Sequence, residues 1–409
     1  MILSLAWRNI WRNKRRTFIT LAAIAFAVFM SAFMRSFQAG VWDSAVDGAV
    51  KTYFGYAQIH KNGYWDDQSI ENAIPYKAIV DNIPSQINEI YDLVPRIESF
   101  ALASEGELTS GVLVLGISPE KENRLTNVKD KLIEGEYLSF DDNSVLVASG
   151  LAEKLGLHLH DTLVLISQGY HGVNAAGKYP ISGIFEFALP DLNKRLLLMP
   201  ILCAQTFYGA EGLATTIAVN MEDKKELPEA MSQLKTLILP NKEYEFMSWK
   251  ELMPELIEAR QLDEAGGYIT LGILYLLIAF ALFGTILMMT KERSYEFGVL
   301  TAIGMGRWKL FLTVWIETII LGFLGSALGI LISMPIIYYL KVNPITVDMM
   351  AGDATEAFEK FGMSGDLPTA FEFDIFANQA IFIFILTSLM ALYALYSIMR
   401  LDPVKSMRA

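Results

Sequence analysis

The sequence predicts an α-helical membrane protein with four transmembrane helices and a large α+β extracytoplasmic domain, built as a ferredoxin-like porter subdomain with an inserted β-rich subdomain. Three observations predict it. Four apolar stretches, Phe18 to Phe37, Tyr268 to Met289, Phe311 to Leu340 and Phe376 to Met399, are each long enough, at about 1.5 Å per residue, to cross a hydrocarbon core of roughly 30 Å. The block between the first and second stretches is too polar and too varied to lie in lipid. Lys and Arg, finally, gather on alternate connections, as the charge rule for cytoplasmic loops requires.

Taken in order, residues 1–16 are expected to form a cytoplasmic interfacial helix. Trp7 and Trp11 lie with Leu3 and Ile10, while Arg8, Arg12 and Arg15 take the other face. Trp prefers the headgroup level and Arg the anionic inner leaflet. Residues 17–37 form the first span, which exceeds a typical signal-peptide apolar region and is expected to stay as an anchor. Residues 38–265 are the outer domain, with the porter at 38–105 and 206–265 and the insert at 106–205.

Within the porter, Tyr53 to Lys61 reads as a strand, Tyr76 to Tyr91 as a helix and Val94 to Ser104 as a strand. Near its end Thr215 to Asn220, Lys224 to Leu237 and Tyr244 to Trp249 repeat the order. Two βαβ halves make a ferredoxin-like split sandwich. The insert offers strands at Gly111 to Ile117, Ser144 to Ala148, Thr162 to Ser167, Tyr179 to Ala188 and Arg195 to Pro200. A helix from about Ser248 is expected to run stiffly into the second span, residues 266–290. A cytoplasmic connection at 291–310, a third span at 311–340, an outer loop at 341–375, a fourth span at 376–399 and a cytoplasmic tail at 400–409 complete the chain.

Orientation follows from charge. Arg8, Arg12, Lys14, Arg15 and Arg16 precede the first span; Lys291, Arg293, Arg307 and Lys309 join the second and third; Arg400, Lys405 and Arg408 close the chain. That side is cytoplasmic. The outer loop instead carries Asp348, Asp353, Glu356, Glu359, Asp366, Glu372 and Asp374. A net charge of −12 argues against a nucleic-acid partner. The single cysteine, Cys203, forbids an internal disulfide, so the outer domain depends on its core.

No catalytic constellation is found. The run from Gly172 to Lys178 imitates a phosphate-cradling loop, but Tyr179 stands where a hydroxyl residue should bind Mg²⁺, and Pro180 with a strand pattern follows where a helix should open. The ordinary reading is a hairpin tip, with Gly172, Asn174 and Gly177 supplying turn geometry. His158 and His160 could share a strand face, but no Cys or carboxylate pattern completes a metal site, so they read as solvated.

Three features stand out in the membrane part. Glu317 sits inside the third apolar run, a functional candidate by default, with a basic neighbour or a wet crevice as its alternative settings. Gly322, Gly325 and Gly329 permit close helix approach, within the bundle or across a dimer, and Pro335 is a candidate kink. The stretch Lys291 to Gly306 is amphipathic, with Glu292, Arg293 and Glu296 exposed and Phe297, Val299 and Leu300 apolar, as a docking helix would be.

Together these features resemble the ABC-transporter permeases of the lipoprotein-releasing, macrolide-exporting and cell-division superfamily. The resemblance runs through Leu5 to Ile10, Asn13 to Thr17, Lys291 to Arg293, Glu296 to Val299, Ala302 to Gly304, Glu317, the three glycines, and Leu401 to Val404 with Arg408. It implies that a cytoplasmic ABC ATPase dimer, carrying ATP and Mg²⁺, docks on Glu292, Arg293, Tyr295, Glu296, Phe297 and Gly298, and that this chain binds no cofactor itself. It also implies a second permease, as homodimer or heterodimer, and mechanical transmission to the outer domains. Tyr56 to His60, Val94 to Ile97, Val114 to Pro119, and Ser149 to Leu157 followed by Asp161 to Leu163 are most similar to the lipoprotein-releasing branch.

The expectation is therefore a bacterial inner-membrane permease that moves a lipid-anchored or amphiphilic substrate, a lipoprotein foremost. Phe26, Phe29, Met30, Phe33, Leu274 and Leu277 would line its lateral opening, and Tyr170, His171, Val173 and Asn174 of the hairpin would meet a periplasmic carrier or adaptor. Efflux of peptides or drugs through a tripartite pump, and non-transporting control of a cell-wall hydrolase, remain as alternatives. A membrane-anchored enzyme would need a catalytic site that the sequence lacks.

Overall fold

A computed structural model describes residues 2–221, 224–238, 243–346 and 366–400. The tail motif at 401–409 and the acidic positions Asp348, Asp353, Glu356 and Glu359 lie outside the described residues. The chain divides into two compact units, one holding residues 1–43, 259–346 and the chain from 366 onward, the other holding 44–258.

In the first unit, helices long and apolar enough to cross a membrane occupy Lys14–Phe54, Pro254–Glu292, Arg307–Val342 and Phe373–Met399. Each begins or ends beyond the apolar run that predicted it. Side-chain hydrogen bonds hold the first extension: Gln38 Nε2 donates to Asp263 Oδ2 at 2.8 Å and Trp42 Nε1 to the same oxygen at 2.6 Å. Gly267 makes that approach feasible, since a Cβ there would lie 2.4 Å from Gln38 Nε2. The third helix runs unbroken through Pro335. The fourth is interrupted at Ala391, between Phe373–Met390 and Leu392–Met399.

The short N-terminal helix Ile2–Arg12 exposes Leu3, Trp7 and Trp11, whose indoles meet edge to face, and buries Ile10 against Leu21 and Leu321. Ile10 thus belongs to the bundle rather than to the tryptophan face. The glycines of the third helix serve the bundle too. A Cβ on Gly325 would come within 2.7 Å of Ile24, and one on Gly329 within 2.7 Å of Val28 and 2.8 Å of the Ala25 carbonyl. Helix-on-helix contact through small residues is how spans pack without a hydrophobic drive. Gly329→Val is therefore expected to force the first and third helices apart, costing about 1–3 kcal/mol in thermal unfolding of the reconstituted chain.

The second unit is organised around one long strand. Its strands are β1 Ala57–Lys61, β2 Ile74–Pro75, β3 Ile90–Glu105, β4 Leu108–Ile117, β5 Leu132–Gly135, β6 Val145–Ala148, β7 Thr162–Gln168, β8 Asn174–Phe185, β9 Leu196–Pro200, β10 Leu213–Ala214, β11 Thr216–Met221 and β12 Tyr244–Ser248. The order β12-β1-β11-β3, antiparallel throughout, is that of a ferredoxin-like sheet. β3 does not stop at its edge. Its far half pairs with β7, and the ladder continues β3-β4-β9-β6-β8-β7 and back to β3, a closed six-stranded ring. Leu113, Leu115, Leu146, Phe185, Leu196 and Leu198 bury one core of this ring. The insert is thus continuous with the porter sheet rather than a separate layer. Closure removes the exposed strand edges that an open sheet would leave.

Several local expectations change. The strand expected from Tyr53 starts at Ala57, because Val50–Phe54 completes the first helix as a π turn that stops at Gly55, whose φ is 73°. The helix expected over Tyr76 to Tyr91 is only Lys77–Asn82, since Pro84 cannot continue it. The stiff helix from Ser248 is two pieces. A capping box joins Ser248 and Glu251 over Trp249–Leu252, and the chain breaks at Met253 before Pro254 opens the long helix.

Candidate functional site

The connection between the second and third spans folds as the short helix Ser294–Ala302. Its six candidate docking residues do not share one surface. Phe297 and Gly298 are buried, with Phe297 packed among Leu310, Phe311, Val314 and Ile398, and Arg293 is buried as well. Among the six, Glu292, Tyr295 and Glu296 face outward. Tyr295 is 57% exposed, and Ile303 just beyond the helix is 79% exposed. Tyr295 and Ile303 are thus the exposed large apolar side chains of this connection, while Phe297 faces the bundle.

Buried charge ties this helix to the bundle. Glu317, with no solvent exposure, accepts from Arg293 Nη1 at 2.7 Å and from Arg16 Nη2 at 3.3 Å. Arg293 Nε reaches Glu296 Oε2 at 3.4 Å, Arg12 Nη2 reaches Glu296 Oε1 at 2.6 Å, and Arg16 Nη1 lies 3.9 Å from Glu292. Charges alternate in sign along Arg12, Glu296, Arg293, Glu317, Arg16 and Glu292, so none is left uncompensated. Five chain segments meet there: the N-terminal helix, the start of the first span, the end of the second, the connecting helix and the third span. Of the two settings open to Glu317, the structure gives basic neighbours.

Burial tends to raise the Glu296 carboxyl, but hydrogen bonds and charge from Arg12, with the charge of Arg293, overcome it and hold the group below its ordinary value. A depressed carboxylate stabilises the fold above its unfolded pKa and loses that contribution as pH falls through the lower folded value. Because Arg12 is 55% exposed, Arg12→Ala is expected to cost under about 1 kcal/mol at pH 7, with the cost vanishing in acid. Thermal unfolding of both forms across pH checks this.

The remaining candidates scatter. Phe29, Phe33 and Phe37 stack along the first helix at 6.1 and 6.2 Å, with Met30 half-buried and Phe26 turned outward. Leu274 is half-buried and Leu277 exposed on the second helix. The hairpin turn falls at Gly169–Val173, where His171 and Gly172 have φ of 54° and 74°. Asn174 and Gly177 lie in β8 instead of in the turn. Tyr170 lies against His171 with ring centres 4.0 Å apart and planes tilted by 42°, and His171, Val173 and Asn174 are exposed. The strand at Asn174 also leaves no helix for a phosphate loop to open. His158 and His160 sit in the turn before β7, not on a strand face, and His158 is exposed beside Asp161 at 3.6 Å. Among the described residues no cluster of His, Cys, Asp and Glu is arranged to hold a metal.

The sequence places Arg12 and Arg16 as topology signals, with Arg12 on the polar face of the interfacial helix, and joins neither to Glu317. A carboxylate buried in a span, with basic residues at the ends of neighbouring spans, is the signal that could have joined them.

The MacB-like periplasmic core domain family matches residues 17–237, more than half of the chain, and the FtsX-like permease C-terminal family matches residues 268–403. The lipoprotein-releasing system transmembrane protein LolC of Neisseria meningitidis serogroup B (strain ATCC BAA-335 / MC58) is 22% identical over 243 residues. That stretch covers 56% of this chain and 56% of LolC, so the chain spans about half the length of this relative. Among solved structures, the periplasmic region of MacB from Actinobacillus actinomycetemcomitans gives a TM-score of 0.36 at 16% identity, covering 49% of this chain and 92% of that one. The extracellular domain of the noncanonic ABC-type transporter YknZ from Gram-positive bacteria gives 0.35 at 12%, covering 47% and 98%. With the periplasmic-core match ahead of the permease match, and four spans arranged one before and three after the sheet domain, the chain belongs to the MacB and FtsX family of ABC-transporter permeases.

Proposed function

We propose that this chain is the membrane half of an ABC transporter that draws a lipid-anchored substrate, foremost a lipoprotein, out of a bacterial inner membrane. A separate cytoplasmic ATPase dimer supplies the energy and holds ATP and Mg²⁺; this chain hydrolyses nothing and holds no cofactor. The N and C termini are cytoplasmic and the sheet domain periplasmic, as the basic connections require. The observation that carries the reading is the six-charge network. A docked ATPase pressing on Tyr295 and Ile303 would move Arg293 and Glu296, and through Glu317 and Arg16 the third and first spans, as one body.

The substrate class rests on the LolC relative and on physics. Each buried CH₂ of an acyl chain holds the anchor by about 0.8 kcal/mol, so a multiply acylated protein does not leave a bilayer unaided. Phe26, Phe29, Met30, Phe33, Leu274 and Leu277 would border its exit. The second helix, with Tyr268, Ile269, Ile273, Leu277 and Phe280 exposed, offers an apolar face to a second permease. The exposed hairpin tip at Tyr170 to Asn174 would meet a carrier or adaptor.

The test is ATP-dependent release of a fluorescent triacylated lipoprotein from proteoliposomes holding the chain, its partner permease and the ATPase. Release that needs ATP is expected. Tyr295→Ala with Ile303→Asp should cut permease-stimulated ATP turnover by about tenfold, as loss of an anchoring contact does, while leaving thermal unfolding unchanged. Release without ATP, or turnover indifferent to both substitutions, would remove the proposal.

A further inference from the structure

Two cavities in the sheet domain share Phe54, Trp65, Leu189 and Glu255, and so form two chambers of one cleft. The inner chamber, about 380 Å³, is walled by Tyr53, Gln58, Tyr64 and Glu98. The outer chamber, about 410 Å³, is apolar, with Ala49, Leu252, Met253 and Leu256. Charge on the cleft is unbalanced, since Glu98, Asp191 and Glu255 line it against Arg195 alone.

Glu98 is the anomaly. Its side chain is only 15% exposed, and Oε1 accepts no hydrogen bond. The nearest cation, Arg96 Nη1, stands 3.9 Å away and gives its hydrogen bonds elsewhere, Nε and Nη2 to Glu122 and Nη1 to the Tyr53 carbonyl. Burial lifts the Glu98 carboxyl above its ordinary value, and neither the charge of Arg96 nor a hydrogen bond from Tyr53 brings it back. A largely buried carboxylate whose one cation stands at the limit of an ion pair, and one of whose oxygens accepts no hydrogen bond, costs stability, and it marks a candidate site when it borders a cavity. Tyr64 and Trp65 add the electron-rich rings that favour an organic cation.

We propose that this cleft binds a cationic amphiphile, its ammonium head beside Glu98, Tyr64 and Trp65 and its apolar chain among Phe54, Leu189 and Leu252. The head would add to the weak compensation that Arg96 gives Glu98 at 3.9 Å, and the chain would fill the apolar chamber. This site is separate from the cargo path. Its occupancy needs neither ATPase nor lipoprotein, so its failure and the failure of the extraction reading are distinguishable.

The experiment is isothermal titration of the full-length chain in lipid nanodiscs with hexyltrimethylammonium, against hexyl sulfate and against empty nanodiscs. Saturable binding of one cation per chain is expected, with hexyl sulfate at least about tenfold weaker. Glu98→Gln should lose about tenfold or more in affinity while its melting temperature holds or rises, the pattern of a group kept at the expense of stability. Asp191→Asn, at an exposed rim position, keeps the test open if Glu98→Gln does not fold, and should weaken cation binding a few-fold. Equal binding of the sulfate, no saturation above empty nanodiscs, or unchanged affinity in both variants would overturn the site.

Discussion

Glu317→Ala is expected to destabilise the membrane unit by about 3–5 kcal/mol, because it leaves buried Arg293 and half-buried Arg16 without their common counter-ion. Loss of the pair's attraction is the smaller part; the stranded guanidiniums are the larger. Glu317→Gln keeps an acceptor and should cost less. The informative variant is the double substitution Arg293→Met with Glu317→Leu. Replacing a buried pair by apolar groups of similar volume is often neutral in stability. Melting temperature should therefore recover in large part in the double variant, with Arg16 left to Glu292, while ATP turnover stays uncoupled from substrate, since the link between the connecting helix and the third span is gone. Thermal unfolding in nanodiscs and substrate-stimulated ATP turnover read the two effects separately. Recovery of both together would assign the network to stability alone.

The second large effect lies in the sheet domain. Arg96 on β3 is fully buried and grips Glu122 of the helix Pro119–Thr126 with two parallel bonds, 2.8 Å from Nε and 2.7 Å from Nη2. Its third donor holds the Tyr53 carbonyl at the end of the first helix, and its face covers the Tyr53 ring at 5.3 Å. One side chain thus joins sheet, helix and the turn that enters the domain. Glu122→Ala is expected to cost about 3–5 kcal/mol, from an orphaned guanidinium at the centre of the domain. The nearest remaining acid is Glu98, whose Oε1 is 3.9 Å from Nη1. If Arg96 turns to it, the loss will be smaller, and cation binding in the cleft will fall with it. Denaturant unfolding of the variant, followed with a titration of the cationic probe, measures both.

How far the sequence reaches depends on the range of the interaction. Spans were legible because a run of apolar residues states its environment locally; their helical extensions were not, because Gln38, Trp42 and Asp263 meet across 221 residues or more. The porter order β12-β1-β11-β3 followed from two βαβ halves, whereas the ring closed by β7 against β3 is non-local and has no signature in either strand. Pro84 is the local signal that ends the helix after Tyr76, and it overrides the apolar pattern that runs on to Tyr91. At the site, an amphipathic pattern in nine residues leaves the buried face undecided. Phe297 turned inward because Leu310, Phe311 and Ile398 wait there, a fact of packing rather than of sequence. Glu317 announced itself as a buried acid, but only the fold could say that its partners are Arg293 and Arg16.

The central claim is that this chain works as the membrane half of an ATPase-driven extractor, and affinity purification of the tagged full-length chain from its native membrane tests it most directly. Mass spectrometry is predicted to find a soluble ABC ATPase together with acylated lipoproteins, and to find the ATPase depleted when Tyr295 and Ile303 carry their substitutions. Recovery of no ATPase, under conditions in which other ABC transporters keep theirs, would contradict the account.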